Sequence, residues 1–246
     1  MQEPDRLAPA DRPSGRPAGF QRWRKLLFLH WEVPVDQVAA TLPAGLEPDL
    51  WEGKALVGLV PFTMRDVVPW WSPSVPGVSN FHELNMRTYV RHGSTPGVWF
   101  YSLDAANALA VVVARVGWKL PYHKAAMSLE EEDDGWVRYH SERRWPAPKP
   151  AVFAARYRVG EPSGRAPVGT LEHFLVERYV LFTMEGDQLL SGRVHHEPYP
   201  LSQVELDGCE QTIVAAQGMT PASEAPILAH YSEGVDVDVY ALEPVA

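Results

Sequence analysis

The chain has 246 residues, 46% of them hydrophobic and 22% charged, with a formal net charge of -9. That profile fits a globular protein with a sizeable core and argues against phosphate backbones, so nucleic acid is not an expected partner. The one cysteine, Cys209, excludes an internal disulfide framework and a thiolate metal cluster, which fits a reducing compartment and makes the cytoplasm the expected location.

In chain order, residues 1–19, "MQEPDRLAPADRPSGRPAG", have almost nothing to bury and are predicted to be a disordered tail, followed by a single domain over 20–246. A short helix is predicted from Val35 to Thr41 after Pro34. The stretches "KALVGLVPFTM", "NFHELNMRTYV" and "VWFYSL" alternate and predict strands. Between the first two, three prolines around Trp70 and Trp71 (Val67 to Asn80) predict a loop that caps the core or covers a ligand pocket. "LDAANALAVVVARVGW" predicts a largely buried helix from Ala105 to about Gly117, with Asp104 as its N-cap. Its apolar run, Ala108 to Ala114, is too short to cross a bilayer, and no membrane partner is expected. "WVRYHSER", "FAARYRV", "FLVERYVLFT" and "LLSGRVHH" continue the strand pattern, with turns at Glu130–Gly135 and Gly160–Gly169 and a further helix from Leu206 to Gln217. Many strands and few helices, one of them buried, predict a β-rich α+β fold whose sheet is curled or closed.

"NFHELNMRTYV" has two chemically different faces. Phe81, Glu83, Asn85, Arg87 and Tyr89 share one, and His82, Leu84, Met86, Thr88 and Val90 share the other. On an open sheet the charged face would meet water; in a closed sheet it would line an interior, where Glu83 and Arg87 need partners. Arg115, Glu177 and Arg178 are candidates, the last two because a charged pair inside so apolar a strand as "FLVERYVLF" calls for one. In "SGRVHHEPYPL" neighbouring side chains alternate in direction, so His196 runs with Val194 and Leu190 and is expected to point inward, and His195 outward.

Seven phrases in order, "LFLHWEVP", "GLVPFTM", "NFHELNMRTYV", "GVWFYSLDA", "ARVGWKLPYHKAAM", "ERYVLFT" and "VHHEPYPL", resemble the bacterial family domain of unknown function 2071 from Trp23 to Tyr240. That family is in turn similar to the acetoacetate decarboxylase superfamily. The resemblance implies a curled antiparallel sheet forming a cone-like β-barrel with an internal pocket for small carboxylates. Acetoacetate decarboxylase uses a lysine Schiff base within a segment resembling "ARVGWKLPYHKA". Here Arg115 and Pro121 match, but Tyr122 and His123 hold the two lysine places, and Lys119 and Lys124 are displaced from them.

The resulting expectation is an internal polar pocket for a small organic anion or carbonyl compound. Glu83, Tyr122 and His196 are the acid–base candidates, and Arg87, Arg115, Arg178, Tyr89, Asn85 and Glu177 the binding candidates. No phosphate loop or zinc motif appears, so neither cofactor nor metal is expected. An enzyme without a Schiff-base lysine is preferred. The alternatives are a non-catalytic carboxylate binding or sensing module and a structural or interaction protein whose exposed aromatics would make a homo-oligomer interface.

Overall fold

A computed structural model describes residues 4–70, 79–107, 119–146 and 151–245. Along the chain come β1 (Gly19–Val33), α1 (Val35–Ala39), β2 (Glu47–Pro48), β3 (Ala55–Pro69), β4 (Phe81–His92), β5 (Thr95–Ala105), β6 (Tyr122–Glu131), β7 (Trp136–Trp145) and β8 (Val152–Gly164). After them follow α2 (Leu171–Val176), β9 (Val180–Glu185), β10 (Gln188–His195), β11 (Leu201–Gln211), α3 (Ile213–Ala216), β12 (Leu228–Val239) and β13 (Glu243–Pro244). The strands form one curled 13-stranded sheet, antiparallel except where β5 meets β6 and β9.

Two extra pairings, β5 with β4 and β10 with β12, close this sheet into two rings. The larger runs through β5, β6, β7, β8, β11, β12, β1, β3 and β4; the smaller runs through β10, β9, β5, β4, β3, β1 and β12. The strands common to both are a wall with an interior on each side. Period-2 alternation then sends successive side chains into different cores. Leu27, Leu29 and Trp31 of β1 join Leu84, Met86, Tyr139 and Phe153 in the large ring. Leu26 and Phe28 join Phe62, Tyr89, Phe174 and Tyr199 in the small ring. The split begins within β5, which pairs β9 at Val98 and Trp99 and β6 from Leu103 to Ala105.

One irregularity in this wall has a specific cause. Lys25 takes a left-handed backbone conformation, and the pairing of β1 with β3 shifts beside it. Opposite, Gly234 lies so close to β1 that a Cβ would stand 2.0 Å from the Trp23 carbonyl oxygen, and its φ of 132° also requires glycine. The bulge lets Trp23 face the small ring together with Leu26.

Several sequence expectations change. "FLVERYVLFT" is not one strand: Leu171–Val176 is a helix capped by the Thr170 hydroxyl, and the strand starts only at Val180. The run is apolar at both periods, so periodicity could not separate the two. The helix predicted from Leu206 to Gln217 is strand β11 as far as Gln211, paired with β8, and helical only over Ile213–Ala216. Asp104 is not an N-cap but a residue of β5 bonded to Arg143. The buried helix predicted from Ala105 to about Gly117 begins on the last residue of β5 and lies from 108 onward outside the described residues, as does the Trp71 part of the proline-rich loop, 71–78.

The segment whose composition predicts disorder lies, from Pro4 onward, against the sheet. Arg6 pairs with Asp49 at 2.5 Å, Arg12 with Asp238 at 2.7 Å, and Arg193 donates to the Pro9 and Asp11 carbonyl oxygens. Its anchors are charges and backbone groups, which a hydrophobicity argument does not register.

Candidate functional site

Because β4 belongs to the shared wall, its charged face does not meet water. Glu83, Asn85, Arg87 and Tyr89 are all buried and look into the small ring. Glu83 is the most enclosed charge of the row, at 1% exposure. The Tyr122 hydroxyl donates to its Oε2 at 3.0 Å, and the Tyr139 hydroxyl to its backbone oxygen at 2.9 Å. Tyr122 reaches it because β6 runs parallel to β5 in a register that sets Tyr122 beside Leu103, which in turn pairs with Asn85 of β4. Burial pushes the Glu83 carboxyl up to about 8 although the Tyr122 hydrogen bond pulls the other way, so near neutral pH it is largely protonated. The Tyr122 hydroxyl is raised well above its ordinary value by burial and by the adjacent carboxylate.

Further along the strand, Arg87 Nη2 donates to the Leu175 carbonyl oxygen at 3.0 Å, and so does the Tyr89 hydroxyl. That carbonyl lies in the last turn of α2, where backbone oxygens lack helical partners. Tyr89 also hydrogen-bonds His30 Nε2 at 2.7 Å. Phe28 lies between the Arg87 guanidinium, 5.7 Å away, and Tyr199, 5.1 Å away. Tyr179 stacks on His196 at 4.6 Å, and Tyr199 packs tilted against it at 4.7 Å. The Tyr179 hydroxyl and the Tyr199 backbone N–H both bond the Glu177 carboxylate, at 2.5 and 3.0 Å. Burial raises the Glu177 carboxyl against those two bonds.

His196 is 3% exposed. Its Nδ1 donates to the Glu197 carbonyl oxygen at 2.8 Å, which makes Nε2 the unprotonated nitrogen, and that nitrogen has no partner. Burial lowers its pKa to about 4, so the ring is neutral. His195 is half-buried and bonds the Ala10 carbonyl oxygen of the N-terminal segment. Arg87 Nε and Asn85 Oδ1 are likewise buried without a hydrogen-bond partner. Among the described residues the small ring therefore presents a guanidinium N–H, an amide oxygen and an imidazole lone pair without protein partners, together with the Glu83–Tyr122 pair.

Not every predicted residue joins this group. Arg178 turns away, bonding Asp49 at 2.8 Å and the Phe174 carbonyl oxygen at 2.7 Å. It and Glu177 follow α2 rather than sitting within a strand, so one faces Asp49 and the other His196's tyrosines. Arg115 lies outside the described residues. Tyr179, Tyr199 and His30 were not singled out in the sequence; Tyr179 carried a signal, being two residues after Glu177, and the other two carried none. Lys119 pairs with Glu185 near the surface and Lys124 is exposed. Among the described residues no group of three or more His, Cys, Asp or Glu is placed to hold a metal, and no helix is long and apolar enough to cross a membrane. Two surface clefts, of about 530 Å³ beside Arg6 and Trp51 and about 460 Å³ beside Trp99 and Lys119, are not lined by Glu83, Arg87 or His196.

The fold is that of the acetoacetate decarboxylase-like proteins. The structure is similar to the enduracididine biosynthesis enzyme MppR complexed with pyruvate (TM-score 0.63, 14% identity, 96% of this chain and 93% of that one). It is also similar to an acetoacetate decarboxylase-like enzyme from Sphingomonas wittichii RW1 (0.62, 12%, 94% of each) and to acetoacetate decarboxylase from Legionella pneumophila (0.57, 16%, 97% and 92%). By sequence, residues 20–236 match the family domain of unknown function 2071, described as an uncharacterized conserved protein. The uncharacterized protein YqjF of Bacillus subtilis strain 168 is 37% identical over 217 residues, 88% of each chain. The protein belongs to the domain of unknown function 2071 family.

Proposed function

We propose that the protein is an enzyme acting on a small organic acid or carbonyl compound in the small ring, by acid–base chemistry and without a Schiff-base lysine. The observation that carries this reading is the buried Glu83–Tyr122 pair, in which a carboxyl raised to about 8 remains a proton donor near neutral pH. Arg87 Nε, with no protein partner, is a clamp for a carboxylate, and Asn85 Oδ1 an acceptor for a substrate hydroxyl. The neutral His196 offers Nε2 as a base. Glu177 and Tyr89 hold the surrounding side chains, and Arg178 is committed to Asp49. The pyruvate bound in one neighbour of the same fold is a small 2-oxo acid and agrees in size and charge with this reading.

The test is a panel of β-keto, 2-oxo and hydroxy acids with thermal-shift readout followed by product analysis. Turnover abolished by Glu83→Gln is expected. Binding without turnover would make the protein a carboxylate-binding module, which the replacement of the lysine by Tyr122 also suits. Neither binding nor turnover would leave a structural role. Borohydride trapping with acetoacetate is expected to label no lysine, and a stoichiometric adduct on Lys119 or Lys124 would restore decarboxylase chemistry.

A further inference from the structure

The large ring contains a second buried polar group, separate from the one above. Ser102 and Asp104 alternate on β5 and stand opposite Met86 and Leu84, both residues of the large-ring core. Ser141 and Arg143 on β7 continue the row that starts with Tyr139 of the same core. All four are buried, and the Asp104 and Arg143 side chains are each 1% exposed. Arg143 Nε donates to Asp104 Oδ1 at 2.9 Å. Among the described residues, that is the only hydrogen bond these two side chains make. Both Nη atoms of Arg143, Oδ2 of Asp104 and the Oγ atoms of Ser102 and Ser141 have no partner.

A pair serving stability alone would gain most from a bidentate fork, because buried donors and acceptors left unmade are costly. Here the outer edge of the guanidinium is bare, and next to it is a bare carboxylate oxygen. Two parallel N–H donors complement a carboxylate. The adjacent acceptor complements a hydroxyl, and the two serine hydroxyls can donate or accept. Because Arg143 and Asp104 are in direct contact, the ligand's carboxylate and hydroxyl must be close together. We propose that the large ring binds a small 2-hydroxycarboxylate of two or three carbons, its carboxylate on Arg143 Nη1 and Nη2 and its hydroxyl donating to Asp104 Oδ2. The serines complete the hydrogen bonding. This site is on the opposite side of the shared wall from Glu83 and does not depend on the function proposed for the small ring.

Glycolate and lactate, with acetate and propionate as hydroxyl-free controls, would be titrated into the full chain by calorimetry and thermal shift. Saturable binding of glycolate about tenfold tighter than acetate is expected, corresponding to the hydroxyl bond. Ser102→Ala and Ser141→Ala, small changes that keep the ion pair, should each weaken it several-fold. His196→Gln in the small ring should leave it unchanged. Loss of binding in His196→Gln with none in either serine variant would move the ligand to the small ring and overturn the proposal. So would equal affinity for acetate, or a crystal structure grown with glycolate in which only ordered water bridges Arg143, Asp104 and the serines.

Discussion

Glu83 shows what position within the sheet does to a single residue. In the unfolded chain its carboxyl loses its proton around 4.5; buried in the small ring it holds it to about 8. The folded state therefore binds the extra proton between those values. The contribution of Glu83 to stability is full below about 4.5, falls as pH rises, and is lost above about 8, a change on the order of a few kcal/mol. Glu83→Gln should abolish that slope. Melting temperatures measured from about pH 5 to 8.5 should fall in the wild type relative to the variant's flatter profile, and parallel profiles would place Glu83 in contact with water. His196 has the opposite sign: its pKa is depressed to about 4, so its contribution is present above 6.5 and lost as pH falls toward 4. Packed against Tyr179 and Tyr199, it should cost about 1 to 3 kcal/mol when replaced by alanine, against about 0.5 or less for the half-buried His195. Chemical denaturation of the two variants gives the comparison, and the reverse order would refute the placement of His196.

At the scale of elements, the site depends on the parting of β5 from its neighbours. Gly97 permits it: a Cβ there would stand 2.7 Å from the Phe182 ring and 2.8 Å from the Val180 carbonyl oxygen of β9. Gly97→Ala must push β9 away, with an expected cost of about 1 to 3 kcal/mol. Amide exchange should rise in β9 and not in β7. The end of α2 is fixed by Asp49, which receives Arg178 from within and Arg6 from the N-terminal segment. Asp49→Ala strands the buried Arg178 and should destabilise the protein by roughly 3 to 5 kcal/mol, measured by urea unfolding. Retained stability would mean that Arg178 finds water.

At the scale of the molecule, the N-terminal segment acts as a tie across strands distant in sequence. It joins the Asp49 loop, β10 and β12 through Arg6, the Pro9 and Asp11 carbonyl oxygens and Arg12. A protein lacking residues 1–12 should still fold, since residues 4–12 bury little, but should melt lower by a few degrees, consistent with the loss of about 1 to 2 kcal/mol. An unchanged melting temperature would show the segment to be detached in solution.

The sequence by itself determined the strand-rich character, the family resemblance and the chemistry of β4. Alternation is a local property, and "NFHELNMRTYV" separates Glu83, Asn85, Arg87 and Tyr89 from Leu84 and Met86 without reference to any other strand. Only the tertiary structure decided that both faces are interiors, because that depends on β4 belonging to two rings at once. It also decided that Glu83 meets Tyr122 and that His196 meets Tyr179 and Tyr199, partners brought together by strand register rather than by spacing. The failures have the same origin. Phe174 to Val176 are buried as a helix and would be equally apolar as a strand, and the choice fell to the Thr170 cap and to Arg87 and Tyr89 holding the Leu175 oxygen from β4. Arg178 looked like a partner for Glu83 because charge alone was visible; the fold gave it Asp49 instead, since a buried guanidinium pairs with the nearest carboxylate that the backbone can bring to it.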